Sequence, residues 1–61
     1  MKAVIKYTAF YIEYDRNVVV YKLDDGRYTV VVSYEGVDPP GSYDRTFLAL
    51  SYAVEWAKEQ L

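Results

Sequence analysis

Val18-Val19-Val20-Tyr21-Lys22-Leu23-Asp24-Asp25-Gly26-Arg27-Tyr28-Thr29-Val30-Val31-Val32-Ser33-Tyr34 is the stretch on which the fold of this chain turns. Its β-branched and aromatic residues suit a pleated surface, and the Asp-Gly pair near its middle favours the positive backbone angles of a tight hairpin turn. Two antiparallel strands are predicted. Upstream, Lys2 to Tyr14 has the same β-branched and aromatic character, and Asp15-Arg16-Asn17 supplies the break that makes it the first strand of another hairpin. Downstream, Gly36-Val37-Asp38-Pro39-Pro40-Gly41-Ser42 combines two prolines that lack a donor with two glycines that lack backbone restraint, and reads as a loop. From Asp44 to Gln60 good helix formers dominate, with Asp44 or Ser42 as N-cap and Lys58 near the C-terminal end of the dipole. The expected fold class is therefore α+β, one domain over residues 1–61. It is a three-stranded antiparallel sheet followed by one C-terminal helix (βββα).

Strand faces follow from the turns. If each hairpin turns through two residues, Tyr14 lies opposite Val19 and Leu23 opposite Tyr28. One face then holds Phe10, Ile12, Tyr14, Val19, Tyr21, Leu23, Tyr28, Val30, Val32 and Tyr34, and this face is the expected core. The other holds Ile5, Tyr7, Ala9, Tyr11, Val18, Val20 and Val31 beside Glu13, Lys22, Thr29 and Ser33, too apolar for a solvated face. The helix repeats the surplus: Phe47, Leu50, Val54, Ala57 and Leu61 form one stripe at about 100° per residue, and Leu48, Tyr52 and Trp56 form a second nearly opposite. One helix cannot cover both faces of a sheet. Ile5, Tyr7, Tyr11, Val18, Val20 and Val31 are accordingly the expected contact patch for a second copy of the chain or a partner protein.

Composition narrows the alternatives. A chain of 61 residues buries a small fraction of its surface and sits near the limit of independent stability. Without cysteine it has no disulfide to lean on, so oligomerisation is the remaining support and a reducing, cytoplasmic setting is expected. Neither a signal-peptide apolar core nor a run long enough to span a bilayer is present in the sequence, so no membrane partner is expected. Seven basic against nine acidic residues give a net charge of -2, which disfavours long-range attraction to nucleic acid. The eight tyrosines fit both strand propensity and a contact surface, since the side chain joins a broad apolar face to a polar tip.

Chemistry is sparse. The absence of histidine and cysteine removes Ser/His and Cys/His nucleophiles and the commonest zinc sites. Asp24 and Asp25 are adjacent turn residues that point apart, Glu13 and Asp15 border the other break, and the Gly36–Gly41 loop lacks the lysine of a phosphate cradle. No catalytic residue, cofactor or metal site is expected. Tyr7 and Tyr11 could stack unpaired bases, but such platforms sit in a positive groove and the charge balance speaks against one here.

From Asp25 onward the chain resembles the arm-type DNA-binding domain at the N-terminus of phage and transposon tyrosine recombinases, and more distantly the plant ethylene-response DNA-binding domain. The residues that carry the likeness are Asp25-Gly26-Arg27-Tyr28, the alternating Val30, Val32 and Tyr34, a glycine-containing loop, Phe47, Ala53 and Trp56. The resemblance covers a little over half of the chain. It implies a core of Tyr28, Val30, Val32, Phe47, Ala53 and Trp56, and, as a rival function, an accessory protein of a mobile element that lays its outer sheet face on duplex DNA. Lys22, Arg27, Thr29 and Ser33 would then make the contacts. The positions that are basic or polar in members that bind DNA are Thr29, Val31 and Ser33 here, and Ala49 stands where the family's helix-capping threonine usually does. A likeness to HicB-type antitoxins is weaker, because Pro40-Gly41 leads to the expected helix without room for another strand.

Overall fold

The computed structural model describes residues 2–10, 14–36 and 41–61. It is an α+β fold with an antiparallel sheet followed by a C-terminal helix, and the sheet has four strands: β1 (Lys2–Phe10), β2 (Asp15–Lys22), β3 (Tyr28–Glu35) and β4 (Gly41–Phe47), then α1 (Leu50–Glu59). The strands lie side by side in chain order, so β1 and β4 are the two edges.

The turn between β2 and β3 decides which residues face the helix. Gly26 N donates to Leu23 O at 3.1 Å and Leu23 N donates to Arg27 O at 2.8 Å, closing a three-residue loop, Asp24-Asp25-Gly26, with Gly26 at φ 88°. A two-residue primed turn would have placed an aspartate at positive φ, which costs an L-residue roughly 1–2 kcal/mol. In the longer loop only the glycine adopts that conformation, and the Asp25 carboxylate accepts from Arg27 N at 3.0 Å and from Arg27 Nε at 2.6 Å. The extra loop residue shifts the register by one. Lys22 rather than Leu23 stands opposite Tyr28, and Val18, Val19 and Val20 pair with Val32, Val31 and Val30.

A one-residue shift moves a whole strand to the other face. Ile5, Tyr7, Val18 and Val20 do share a face, as the sequence implies, because Tyr7 pairs with Val18 and Ile5 with Val20. That face, however, joins Val30 and Val32 beneath the helix instead of pointing away from it. Val18, Val20, Val30 and Val32 are all 0% exposed and form the floor of the core. Val19 and Tyr21, expected inside, lie on the outer face with Thr29, Val31 and Ser33. The first hairpin also turns elsewhere than expected: Asp15, Arg16 and Asn17 are strand residues, paired with Phe10, Ala9 and Thr8. Near its start β1 carries a bulge between Ala3 and Ile5. The expected positions of Tyr11, Ile12 and Glu13 lie outside the described residues.

The fourth strand is the second correction. Local preference makes Gly41–Phe47 a loop and a helix start, yet the segment pairs along its length with β3, from Tyr28 opposite Phe47 to Tyr34 opposite Gly41. Tyr43, Arg45 and Phe47 fall on the helix side and Ser42, Asp44 and Thr46 on the other, the alternation of a half-covered edge strand. A further strand does therefore fit between Pro40 and the helix, contrary to the spacing argument that sets the antitoxin likeness aside. The helix begins at Leu50, with Ala49 as an extended N-cap that makes no side-chain cap bond.

The helix presents alanines to the valine floor. Ala53 and Ala57, one turn apart, are both 0% exposed, and Leu50, Phe47, Tyr28 and Trp56 pack around the same cluster. Small side chains at the contact let the helix axis sit close to the sheet, and each fully buried valine contributes about 1.5–3 kcal/mol of transfer free energy. Tyr28, Val30, Val32, Phe47, Ala53 and Trp56 are all in or against this cluster. Of the second helical stripe, only Trp56 turns inward; Leu48 and Tyr52 are 83% and 63% exposed.

Candidate interaction surface

α1 packs on β2, β3 and β4 but, among the described residues, makes no close approach to β1. The helix is therefore displaced toward the β4 side of the sheet. Trp56 marks that displacement, its ring lying 5.8 Å from Phe47 and 6.0 Å from Tyr43, both on β4. Around the helix axis, Val54 occupies the flank opposite Trp56, the side on which β1 lies, and Leu61 follows just past the end of the helix. On the helix-side face of β1 lie Ile5, Tyr7 and Ala9, each half-buried. The result is a half-buried apolar shelf at the β1 edge, with Ile5 and Tyr7 packed against the core cluster on their inner side. Leu61 is 40% exposed, and so is much of the bulge residue Val4 at 42%.

The β4 side is closed by aromatic rings and guanidinium groups. Tyr14, Tyr34, Tyr43, Trp56 and Phe47 form a continuous row with centroid separations of 5.7–6.2 Å. Arg16 lies over Tyr34 at 5.0 Å, and Arg45 lies over Phe47 at 5.2 Å. Such pairs add about 0.5–2 kcal/mol each, depending on how far the cation is shielded from water. Arg16 Nη1 also donates to the Gln60 carbonyl at the helix C-terminus, where a cation is favoured by the exposed carbonyls. Tyr43 Oη donates to Gln60 Oε1 at 2.7 Å, and burial, aided by neighbouring Tyr34, raises the Tyr43 hydroxyl above the ordinary tyrosine range. Much of the tyrosine surplus thus goes into covering the core. The alternation Tyr43, Arg45, Phe47 is the signal for this row in the sequence, visible only once the segment is taken as a strand.

The six residues of the expected contact patch are divided. Val18 and Val20 are sealed inside the protomer, Val31 lies half-buried on the outer face, and Tyr11 is outside the described residues. Ile5 and Tyr7 remain together on the shelf. The premise that Val18 and Val20 need a partner to cover them is thereby overturned, because the chain's own helix covers them.

The four residues of the expected DNA contact do not converge. Lys22 stands at the end of the helix-side face opposite Tyr28, whereas Thr29 and Ser33 lie on the outer face. Thr29 is only 7% exposed, donating from Oγ1 to the Arg45 carbonyl at 3.4 Å and accepting from Thr46 Oγ1 at 3.2 Å. Arg27 is held in the turn by Asp25, whose carboxyl lies below its usual range through the hydrogen bonds from the Arg27 backbone and side chain. Among the described strand residues the outer face carries Lys6 against Asp15, Glu35 and Asp44. That balance offers little neutralisation of phosphate.

No group of acidic residues among those described could hold a metal ion, and no described helix is long and apolar enough to cross a membrane. No family model, curated protein or solved structure matches this chain.

Proposed function

We propose that this protein is a non-catalytic interaction module whose partner is a second copy of itself, joined through the shelf of Ile5, Tyr7 and Val54. The observation that carries this reading is the offset of α1, which lies over β2, β3 and β4 and, among the described residues, makes no close approach to β1, whose helix-side residues stay half-exposed. Water on that shelf touches side chains that are already half-buried, so covering them removes apolar area with little further ordering of the chain. For a domain of this size, with a stability of about 3–9 kcal/mol, even a few kcal/mol from association is a large share.

Sedimentation across the micromolar range tests the reading. The wild type should convert from monomer to dimer as concentration rises, and Tyr7→Glu should remain monomeric at every concentration while keeping the far-ultraviolet circular dichroism of the wild type. A wild type that stays monomeric at high micromolar concentration would overturn the proposal.

A further inference from the structure

The self-association reading leaves open how the copies meet, and resting on that reading the geometry points to direct pairing of β1 with the partner's β1, antiparallel across a twofold axis at Tyr7. The sheet would then run without a break through eight strands. β1 has β2 on one side and, among the described residues, no strand on the other, so one row of backbone donors and acceptors faces outward. β4, the other edge, displays Asp44 and Arg45 and lies under the ring row, whereas the apolar floor runs along β1.

The pattern of β1 selects the register. Residues opposite each other in an antiparallel ladder share a face, so in a symmetric pair odd positions meet odd ones, even meet even, and one residue lies on the axis. An axis at Lys6 sets two lysines directly opposite, which is unfavourable. An axis at Ile5 runs the ladder into the bulge between Ala3 and Ile5. An axis at Thr8 sets Lys6 opposite the partner's Phe10 and leaves Ile5 without a described residue of β1 opposite it. With the axis at Tyr7, Tyr7 meets the partner's Tyr7, Ile5 meets the partner's Ala9, and Lys6 meets the partner's Thr8. The two floors then merge into one apolar strip between two helices, and no like charges oppose.

The chain has no cysteine of its own, so introduced thiols report the register directly. Directly opposed residues have Cα atoms about 4.5–5.5 Å apart, within the roughly 4.4–6.8 Å that a disulfide spans, while residues offset by two positions are about 8 Å apart or more. Lys6→Cys and Thr8→Cys both change exposed outer-face side chains and leave the shelf intact. Under mild oxidation a mixture of the two variants should form covalent dimer in at least several-fold excess over either variant alone. Covalent dimer from Lys6→Cys alone places the axis at Lys6 and overturns the proposed register. A wild type that is dimeric by sedimentation with no cross-link in the mixture overturns strand pairing and leaves self-association standing; a monomeric wild type overturns both.

Discussion

At one edge of the sheet, β4 supplies Tyr43 and Phe47 to a row of rings that Trp56 closes from the helix, with Arg45 stacked on the outside. At the other, β1 supplies Ile5, Tyr7 and Ala9, and the helix backbone makes no close approach to that strand. The helix lies over the polar-looking edge and not over the apolar one, although Ile5 and Tyr7 on the latter still pack against the core cluster and are half-buried. A strand's own hydropathy therefore says little about whether the helix lies over it. Here the landing is fixed by which residues can approach closely. Ala53 and Ala57 sit on the valine floor of β2 and β3, and Trp56 packs against the β4 flank.

The largest expected effect compares the two faces of one strand. Val30 and Val31 are neighbours in sequence, but Val30 is sealed under the helix and Val31 is half-buried on the outer face opposite Asp44. Val30→Lys would bury a charge without a counter-ion, at a cost of about 3–5 kcal/mol, which takes most of the stability of a chain this size. The variant should lack a cooperative thermal transition in circular dichroism. Val31→Lys, by contrast, places an ammonium beside a carboxylate and should stay folded with a loss below about 1 kcal/mol. If Val31→Lys unfolds and Val30→Lys does not, then Val31 is the member that faces the helix, and the pairing of Val20 with Val30 is wrong.

The same pair shows what was legible in the sequence. Three strands, the Asp-Gly hairpin, the C-terminal helix and the shared face of Ile5, Tyr7, Val18 and Val20 all follow from propensity and punctuation. Val18-Val19-Val20 and Val30-Val31-Val32, however, are apolar at both parities, so alternation cannot say which members point inward. That information lies in the length of the turn. Two- and three-residue loops both accept an Asp-Gly pair, and the hydrogen bonds from Arg27 to Asp25 that favour the longer one come from a residue beyond the pair. The missed strand has a different cause. Gly41-Ser42-Tyr43-Asp44-Arg45-Thr46-Phe47 contains two large apolar residues in seven and begins at a glycine, so its pairing with β3 outweighs a weak local preference. The candidate shelf is partly legible: Ile5 and Tyr7 follow from strand alternation, while Val54 requires the position of the helix.

A middle-sized effect separates the two flanks of α1. Trp56→Ala removes two ring contacts and should lower stability by about 2–3 kcal/mol, somewhat less than the loss of a fully buried tryptophan. Val54→Ala faces the bare side, and alanine's higher helix propensity offsets part of the lost contact, so the monomer should lose less than about 1 kcal/mol. Its main consequence should appear as a shift of the association midpoint to higher concentration. Denaturation at low concentration and sedimentation at several concentrations measure the two effects separately. Equal losses of monomer stability at both positions would mean that the helix is centred on the sheet and that the bare shelf does not exist.

The smallest effect concerns two glycines, one in the turn before β3 and one at the start of β4. Gly26 has φ 88° and open space around the place of a Cβ, so an alanine there meets no atom and is penalised only by the backbone conformation. Gly26→Ala should cost roughly 1–2 kcal/mol, which for a domain of this size lowers the melting temperature by about 4–16 °C. A Cβ on Gly41, in contrast, would meet Tyr34 Cδ2 at 3.8 Å, an ordinary contact in a strand whose backbone angles any residue adopts. Gly41→Ala should therefore be neutral or slightly stabilising, because alanine also restricts the unfolded chain. The contrast bears on the whole molecule, since the left-handed residue at position 26 is what permits the three-residue loop. If Gly26→Ala leaves the melting temperature unchanged, the loop does not need its glycine in that conformation, and turn length is not what directs Val18 and Val20 inward.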